Sequence, residues 1–362
     1  MTHMPHLFTP ISIKDLTIKN RIWVSPMCQY SSKNGHPTDW HFVHLGARAV
    51  GGAGLVMVEA TAVSPEGRIT ASDSGIWADE HISSFKHLVA FMKAQATTCA
   101  IQLAHAGRKG SDIVPWSHDQ STWQTLAPSP CAFAEGGLVP QAMQKQDIQK
   151  VIADFVAAAQ RCLQAGFDII ELHFAHGYLM HQFLSPLSNQ RTDEYGGSLE
   201  NRMRLPLEIA KAVRAVWPDN FPLFARISAT DWADGIDECQ IGFKPKTSAW
   251  HLSDSIIFCE ALKNVGVDLI DVSSGGTLPN AKIPVGPGYQ TQFAQKIRHK
   301  CAIKTAAVGM ITDPVQAEAI LVQQQADAVF LAREFLRSPY WPHLAAKALG
   351  VDLSKPDPYA RA

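Results

Sequence analysis

At 362 residues, 46% hydrophobic and 18% charged, the chain has the composition of a soluble globular protein with a large core. Its formal net charge of -1 excludes a sequence-wide pull toward nucleic acid or an anionic membrane, and no apolar run approaches the roughly 18 residues a bilayer span requires. The opening MTHMPHLFTP lacks the apolar core of a signal peptide, and seven dispersed cysteines without a CxxC pair read as free thiols, so a cytoplasmic protein is expected.

The first apolar run of strand length is Arg21–Val24. Gly51-Gly52-Ala53-Gly54 introduces the second, LVMVEA, and a helical pattern over Ser83–Ala96 precedes the third, Ala100–Leu103. The amphipathic stretch VIADFVAAAQRCLQ then leads through Ala165-Gly166-Phe167-Asp168 into IIELH. A helix over Leu199–Val216 precedes Leu223–Ile227, and Val265-Gly266-Val267-Asp268 leads into LIDVSS. Lys304–Val308 follows, then a helix over Pro314–Gln324, and Gln325-Ala326-Asp327 leads into AVFLAR. Twice a glycine sits where a helix would end and an apolar run follows.

Eight strands continuous in hydrophobicity belong to a parallel sheet covered on both faces. Eight alternations in one chain favour a (β/α)8 TIM barrel over an open doubly wound sheet, and no GxGxxG opens a strand–helix turn. One domain over residues 1–362 is expected, with long excursions after strands three, four and five. Gly107 to Ala142, rich in Pro, Trp and Gly, reads as a lid, and Asp231 to Ser248 forms another long loop.

In such a barrel the chemistry lies where loops leave the carboxyl ends of the strands. Those exits carry Ser25-Pro26-Met27-Cys28-Gln29-Tyr30, Glu59-Ala60-Thr61, Gln102 with His105, then His173, His176 and Tyr178. Arg226 lies within strand five, Ser273-Ser274-Gly275-Gly276 ends strand six, and Val308-Gly309-Met310 and Ala332-Arg333 end the last two. Phosphate often binds after strands seven and eight, where Gly309 permits close backbone approach and Arg333 offers a charge-assisted fork; a glycine turn and a surface arginine are the plainer reading. His173 and His176 read as a pair of hydrogen-bond donors, as two structural histidines, or as metal ligands wanting a third. Arg226 needs an anionic partner, either a bound cofactor or a strand carboxylate such as Glu171.

Taken in order, LFTPISIKDLTIKNRI, SPMCQYS, VEATAVSPEGR, QLAHAGRK, TLAPSP, HFAHGYLMHQFLSPLSNQRTDEYGGSLENR, ARIS, GVDLIDVSSGG, VGMI and AREFLRSPYW strongly resemble the old yellow enzyme family of FMN-dependent ene-reductases. The similarity is to its thermophilic-like, class II branch, which includes xenobiotic reductases. The resemblance implies an NADPH dehydrogenase or ene-reductase with a ping-pong cycle. NADPH, or NADH, reduces FMN; hydride then passes from flavin N5 to the β-carbon of an α,β-unsaturated carbonyl or similar activated alkene. It assigns His173 and His176 to the substrate oxygen and Tyr178 to protonation of the α-carbon. Ser25, Pro26, Met27 and Cys28 would line the flavin, with Cys28 touching substrate and Tyr30 bordering the pocket. Ala60, Gln102 and Arg226 would meet the flavin edge, and Val308, Gly309, Ala332 and Arg333 its phosphate region. Small-molecule alkenes are the implied partners, with no nucleic acid and no membrane.

Three departures accompany the resemblance. Ala332 stands where many relatives have glycine, and IDECQIGFKPKTS (Ile236 to Ser248) is longer than usual. The tail over 350–362 ends early. Arg361 is compatibly placed to enter a neighbouring subunit's site in a homodimer or homotetramer. The rival functions are an FMN barrel with another physiological acceptor, a metal-dependent hydrolase built on the histidine pair, and a flavin redox sensor.

Overall fold

The computed structural model describes residues 4–117, 119–233 and 249–361. Of the expected loop over 231–248, the part from 234 onward, including Ile236 to Ser248, lies outside the described residues. The chain opens with an antiparallel hairpin, β1 (Ile11–Ile13) and β2 (Leu16–Ile18). Eight parallel strands then close a barrel: β3 (Ile22–Val24), β4 (Leu55–Ala62), β5 (Thr98–Ala104), β8 (Ile169–Phe174), β9 (Leu223–Ser228), β10 (Leu269–Ser273), β11 (Lys304–Ala307) and β12 (Ala328–Leu331). They neighbour one another in chain order, and β12 returns to pair with β3. The intervening β6 (Leu126–Ala127) and β7 (Gln141–Ala142) pair with each other in the excursion after β5.

The helices are α1 (Asp39–Val50), α2 (His81–Ala94), α3 (Lys145–Ala165), α4 (Leu179–Leu184), α5 (Leu199–Val216), α6 (Leu252–Asn264), α7 (Thr291–Cys301), α8 (Pro314–Val322), α9 (Arg333–Arg337) and α10 (Trp341–Leu349). The expected TIM barrel is the observed fold. Its strands read as unbroken apolar runs because both faces are covered: every residue of β4, β5 and β8 is buried. Each long helix needs only one apolar stripe. In α3 that stripe is Ile148, Val151, Phe155, Ala158, Ala159, Cys162 and Ala165, and the helix stops at Gly166, whose φ of 89° is left-handed.

Alternation along the strands sorts the barrel interior by depth. At the amino-terminal end Trp23, Leu55, Ala100, Ile169, Phe224 and Leu269 form an apolar cluster with Ile11, Ile13 and Ile18 of the hairpin. The hairpin, which the eight-strand reading did not anticipate, therefore plugs the floor. Two residues further along, the inward positions become Gln102, Glu171, Arg226 and Asp271, level in the registers Gln102 with Glu171 and Arg226 with Asp271. Two more bring His173, Ser228 and Ser273 to the mouth. Polarity thus rises toward the strand exits. No helix among the described residues is long and apolar enough to cross a membrane.

Candidate active site

The exit of β8 is held in an unusual backbone path. His176 has φ 59° and Gly177 φ 70°, so the chain reverses within three residues of His173. A Cβ on Gly276 would lie 2.5 Å from the Cα of His176, so the β10 exit approaches this turn only because that residue is glycine. Side chains from three directions fix the turn. The Ser228 hydroxyl accepts from the His176 N–H at 2.9 Å, and Lys109 Nζ donates to the His176 carbonyl at 2.9 Å and the Gly276 carbonyl at 3.2 Å. His181 Nδ1 accepts the Gly177 N–H at 2.9 Å, and Asp231 lies 3.1 Å from His181 Nε2.

The result is a tight aromatic constellation. The His173 ring stands edge-on to His176 at 5.2 Å and to Tyr178 at 5.1 Å. His176 Nε2 shares a 2.7 Å hydrogen bond with Ser273 Oγ. His173 Nδ1 is buried and has no hydrogen-bond partner among the described residues. Burial, then the Arg226 and Lys109 charges, holds the His173 imidazole well below its ordinary pKa; burial and His173 do the same for His176. Both rings are neutral near pH 7. Burial raises the Tyr178 phenol, so it too keeps its proton.

Beside this constellation lies a cavity of about 280 Å³. Its wall includes Ser25, Pro26, His176, Arg226, Val308, Gly309, Ala332 and Arg333. Gly309 has φ 119°, and a Cβ there would meet Gln290 Nε2 at 2.7 Å. The Arg333 side chain makes no hydrogen bond or ion pair with the described residues, and the neighbouring Glu334 is taken by Arg337, so the Arg333 guanidinium is open to an anion. Arg226 is not free: its Nε donates to Asp271 at 2.6 Å and an Nη to Ser25 Oγ at 2.8 Å. The strand carboxylate is therefore its partner, Asp271 rather than Glu171.

Residues 6–351 match the NADH:flavin oxidoreductase / NADH oxidase family. The NADPH dehydrogenase of Bacillus cytotoxicus is 49% identical over 359 residues, 98% of this chain and 96% of that one. An old yellow enzyme homologue from Zymomonas mobilis superposes with a TM-score of 0.77 at 26% identity, covering 97% of this chain and 94% of its own. A 2-naphthoyl-CoA reductase shares the fold with a TM-score of 0.83 at 24% identity; this chain spans 52% of its length. The chain belongs to the NADH:flavin oxidoreductase / NADH oxidase family. The resemblance to old yellow enzymes is borne out with it, and the protein is a flavin-linked oxidoreductase with FMN as cofactor.

The residues present fit that cofactor. An unpaired Arg333 beside a glycine whose Cβ would crowd the wall matches a phosphoryl group. Arg226, buried yet lining the cavity, puts a positive charge at its wall. Ala332 also lines the wall. Gln102 is buried and donates to Glu171 Oε1 at 2.8 Å. Ala60 pairs with Gln102 because the register shifts between Val58 and Ala60, and it borders a small void with Tyr178.

Met27 packs against the core, while Cys28 and Tyr30 hydrogen-bond to each other and are half-buried. Burial, then Asp73 and Glu59, pushes the Cys28 thiol up, which keeps it protonated. Arg361 is exposed and does not line its own chain's cavity. Sequence reasoning missed Lys109, Gln290 and the hairpin. Lys109 sits inside the quoted motif QLAHAGRK, where a lysine two residues after a glycine turn looks like solvent-facing charge. Gln290, which donates to the Val308 carbonyl at 2.9 Å, gave no signal at all. The one group of three potential metal ligands among the described residues, His36, Glu80 and His81, includes neither His173 nor His176.

Proposed function

We propose that this flavoenzyme uses NADPH to reduce activated alkenes, above all α,β-unsaturated carbonyls. One observation carries the reading: His173 stands edge-on to both His176 and Tyr178, all three neutral, and His176 lines the cavity. NADPH is supported by the name of the Bacillus relative, NADPH dehydrogenase; NADH is the second reductant to test.

When bound, FMN supplies the two-electron carrier between nicotinamide and alkene. The chain's own residues do the rest. His173 donates a ring N–H to the substrate oxygen, and His176 joins it, oriented by Ser273. As hydride reaches the β-carbon, negative charge grows on that oxygen, and two fixed neutral N–H donors stabilise it as an oxyanion hole does. Tyr178 gives its proton to the α-carbon; its raised pKa keeps that proton available across the physiological range. Cys28 and Tyr30 border the substrate from the β3 exit. Arg361, outside its own cavity, completes the site of a second copy in a homodimer or homotetramer. The whole chain acts as one FMN-binding domain.

The test is an anaerobic titration of the FMN-loaded protein. NADPH bleaches the oxidised flavin band, and 2-cyclohexenone then restores it. Bleaching without recovery points instead to a different acceptor or to a redox sensor. Failure to bind FMN at all would overturn the assignment.

A further inference from the structure

Beneath the mouth, two carboxylates face one cation. Glu171 and Asp271 are fully buried, and their side chains lie within hydrogen-bonding reach of each other. One oxygen of each already has a donor: Gln102 Nε2 on Glu171 Oε1 at 2.8 Å, and Arg226 Nε on Asp271 Oδ2 at 2.6 Å. The other two, Glu171 Oε2 and Asp271 Oδ1, are buried and receive nothing from any other described group. Two carboxylate oxygens in contact, both ionised, repel; with one proton between them they form a strong hydrogen bond. Charge counting points the same way. Arg226 neutralises one carboxylate, and a second negative charge in this buried layer would have no counterpart among the described groups.

We propose that Glu171 and Asp271 share one proton under the cofactor cavity, with Glu171 the neutral donor and Asp271 the charged acceptor that holds Arg226. Glu171 is thus a positioning residue. Its proton fixes Gln102 on one side and the Asp271–Arg226 pair on the other. It also keeps the layer electrically balanced, so that an anionic group in the cavity meets Arg226 rather than a surplus carboxylate. Asp271 is the charged member because it alone has the guanidinium. Burial, then the Asp271 charge, raises the Glu171 carboxyl, in agreement with this assignment.

The groups facing Glu171 are few. Arg226 comes from β9, Asp271 from β10, Gln102 from β5, and His173 lies two residues further along β8, neutral for the reasons given above. Trp23, Met57, Ala306 and Phe330 of the other strands belong to the apolar cluster and do not titrate. The inference rests on FMN as the cofactor and on nothing about the alkene, so it survives if no enone is reduced.

Infrared spectroscopy of the FMN-loaded protein tests it directly. At neutral pH the wild type should show a carboxylic C=O stretch that shifts in D2O and disappears in Glu171→Gln. Asp73, a buried carboxyl raised to about 7, adds its own band, which the same substitution leaves in place. Asp271→Asn is the second variant: with its carboxylate gone, Glu171 should ionise to pair with Arg226, and the same band should vanish. FMN affinity gives an independent readout. In the wild type Kd should rise, by at most about tenfold per pH unit, as Glu171 loses its proton in alkali, whereas Glu171→Gln should lack that component. Lys109 titrates alike in both proteins and cancels from the comparison. A wild type with no Glu171-dependent band, or a Glu171→Gln protein with the same alkaline loss of FMN, would overturn the proposal.

Discussion

The two sides of the barrel mouth are built on opposite plans. At the β8 exit almost every polar group is already engaged: His176 with Ser228 and Ser273, Gly177 with His181, and both carbonyls with Lys109. At the β11 and β12 exits the wall is glycine backbone and an arginine with no partner among the described residues. The first plan fixes a few donor atoms in place, as a group acting on developing charge requires. The second leaves a charge in reserve for something the protein must grip but not transform. Damage to the first side should therefore appear in chemistry, and damage to the second in cofactor retention.

The largest expected effect is on the first side. His173→Ala removes one of the two proposed donors to the substrate oxygen, and loss of one such donor typically costs about 100- to 1,000-fold in rate. Stopped-flow measurement of the two half-reactions should confine that loss to reoxidation by enone and leave reduction by NADPH within severalfold of wild type. Equal loss in both would mean that His173 serves the flavin, and the division between the two sides would fail.

Arg333→Ala tests the second side. A charge-assisted hydrogen bond contributes about 1.5–3 kcal/mol, so FMN should dissociate roughly 10- to 100-fold more readily. Dilution followed by free-flavin fluorescence measures this. Once saturated with FMN, the variant should keep the wild-type KM for enone. A raised KM at saturation would show that Arg333 reaches the substrate side.

Gly276→Ala strikes the seam that lets the first side form. The residue is left-handed, and its added methyl would meet the His176 backbone at 2.5 Å. A cost of about 1–3 kcal/mol in stability is expected from such strain, read as a lowered Tm, with FMN retention little changed in the protein that remains folded. Parallel loss of FMN would show that the seam supports both sides.

How much of this was legible beforehand follows from what kind of signal each part leaves. The barrel was readable because a strand covered on both faces must be apolar throughout, so IIELH, LIDVSS and AVFLAR announce themselves. His173, His176, Tyr178, Gly309 and Arg333 were readable because polar residues immediately after such runs have one place to go. The hairpin Ile11–Ile18 was not, since three-residue strands carry too few positions to show a period. The partner of Arg226 stayed open between a cofactor and a carboxylate, because choosing Asp271 over Glu171 depends on register between strands far apart in sequence. Lys109 was invisible for a related reason: its function is to reach two carbonyls 67 and 167 positions away.

Lys109 gives the smallest and most discriminating effect. Its ammonium lies over the Tyr178 ring at 4.9 Å and the Phe133 ring at 4.5 Å while donating to both carbonyls. Burial first, then Arg108, lowers its pKa from 10.5 to about 8, against the opposing pull of Asp112. Above pH 8 the native protein therefore gives up a proton that the unfolded chain keeps until 10.5. The unfolded state binds more protons in that window, so this residue makes stability rise with pH from 8 to 10.5. The alkene half-reaction should move the other way, falling severalfold as the tether loses its charge, because a neutral amine holds the turn and the Tyr178 ring less firmly. Opposite slopes in one protein are hard to produce by general alkaline damage. Lys109→Met should flatten both, and a variant that flattened only the stability curve would reduce Lys109 to a buried charge with no part in holding the histidines.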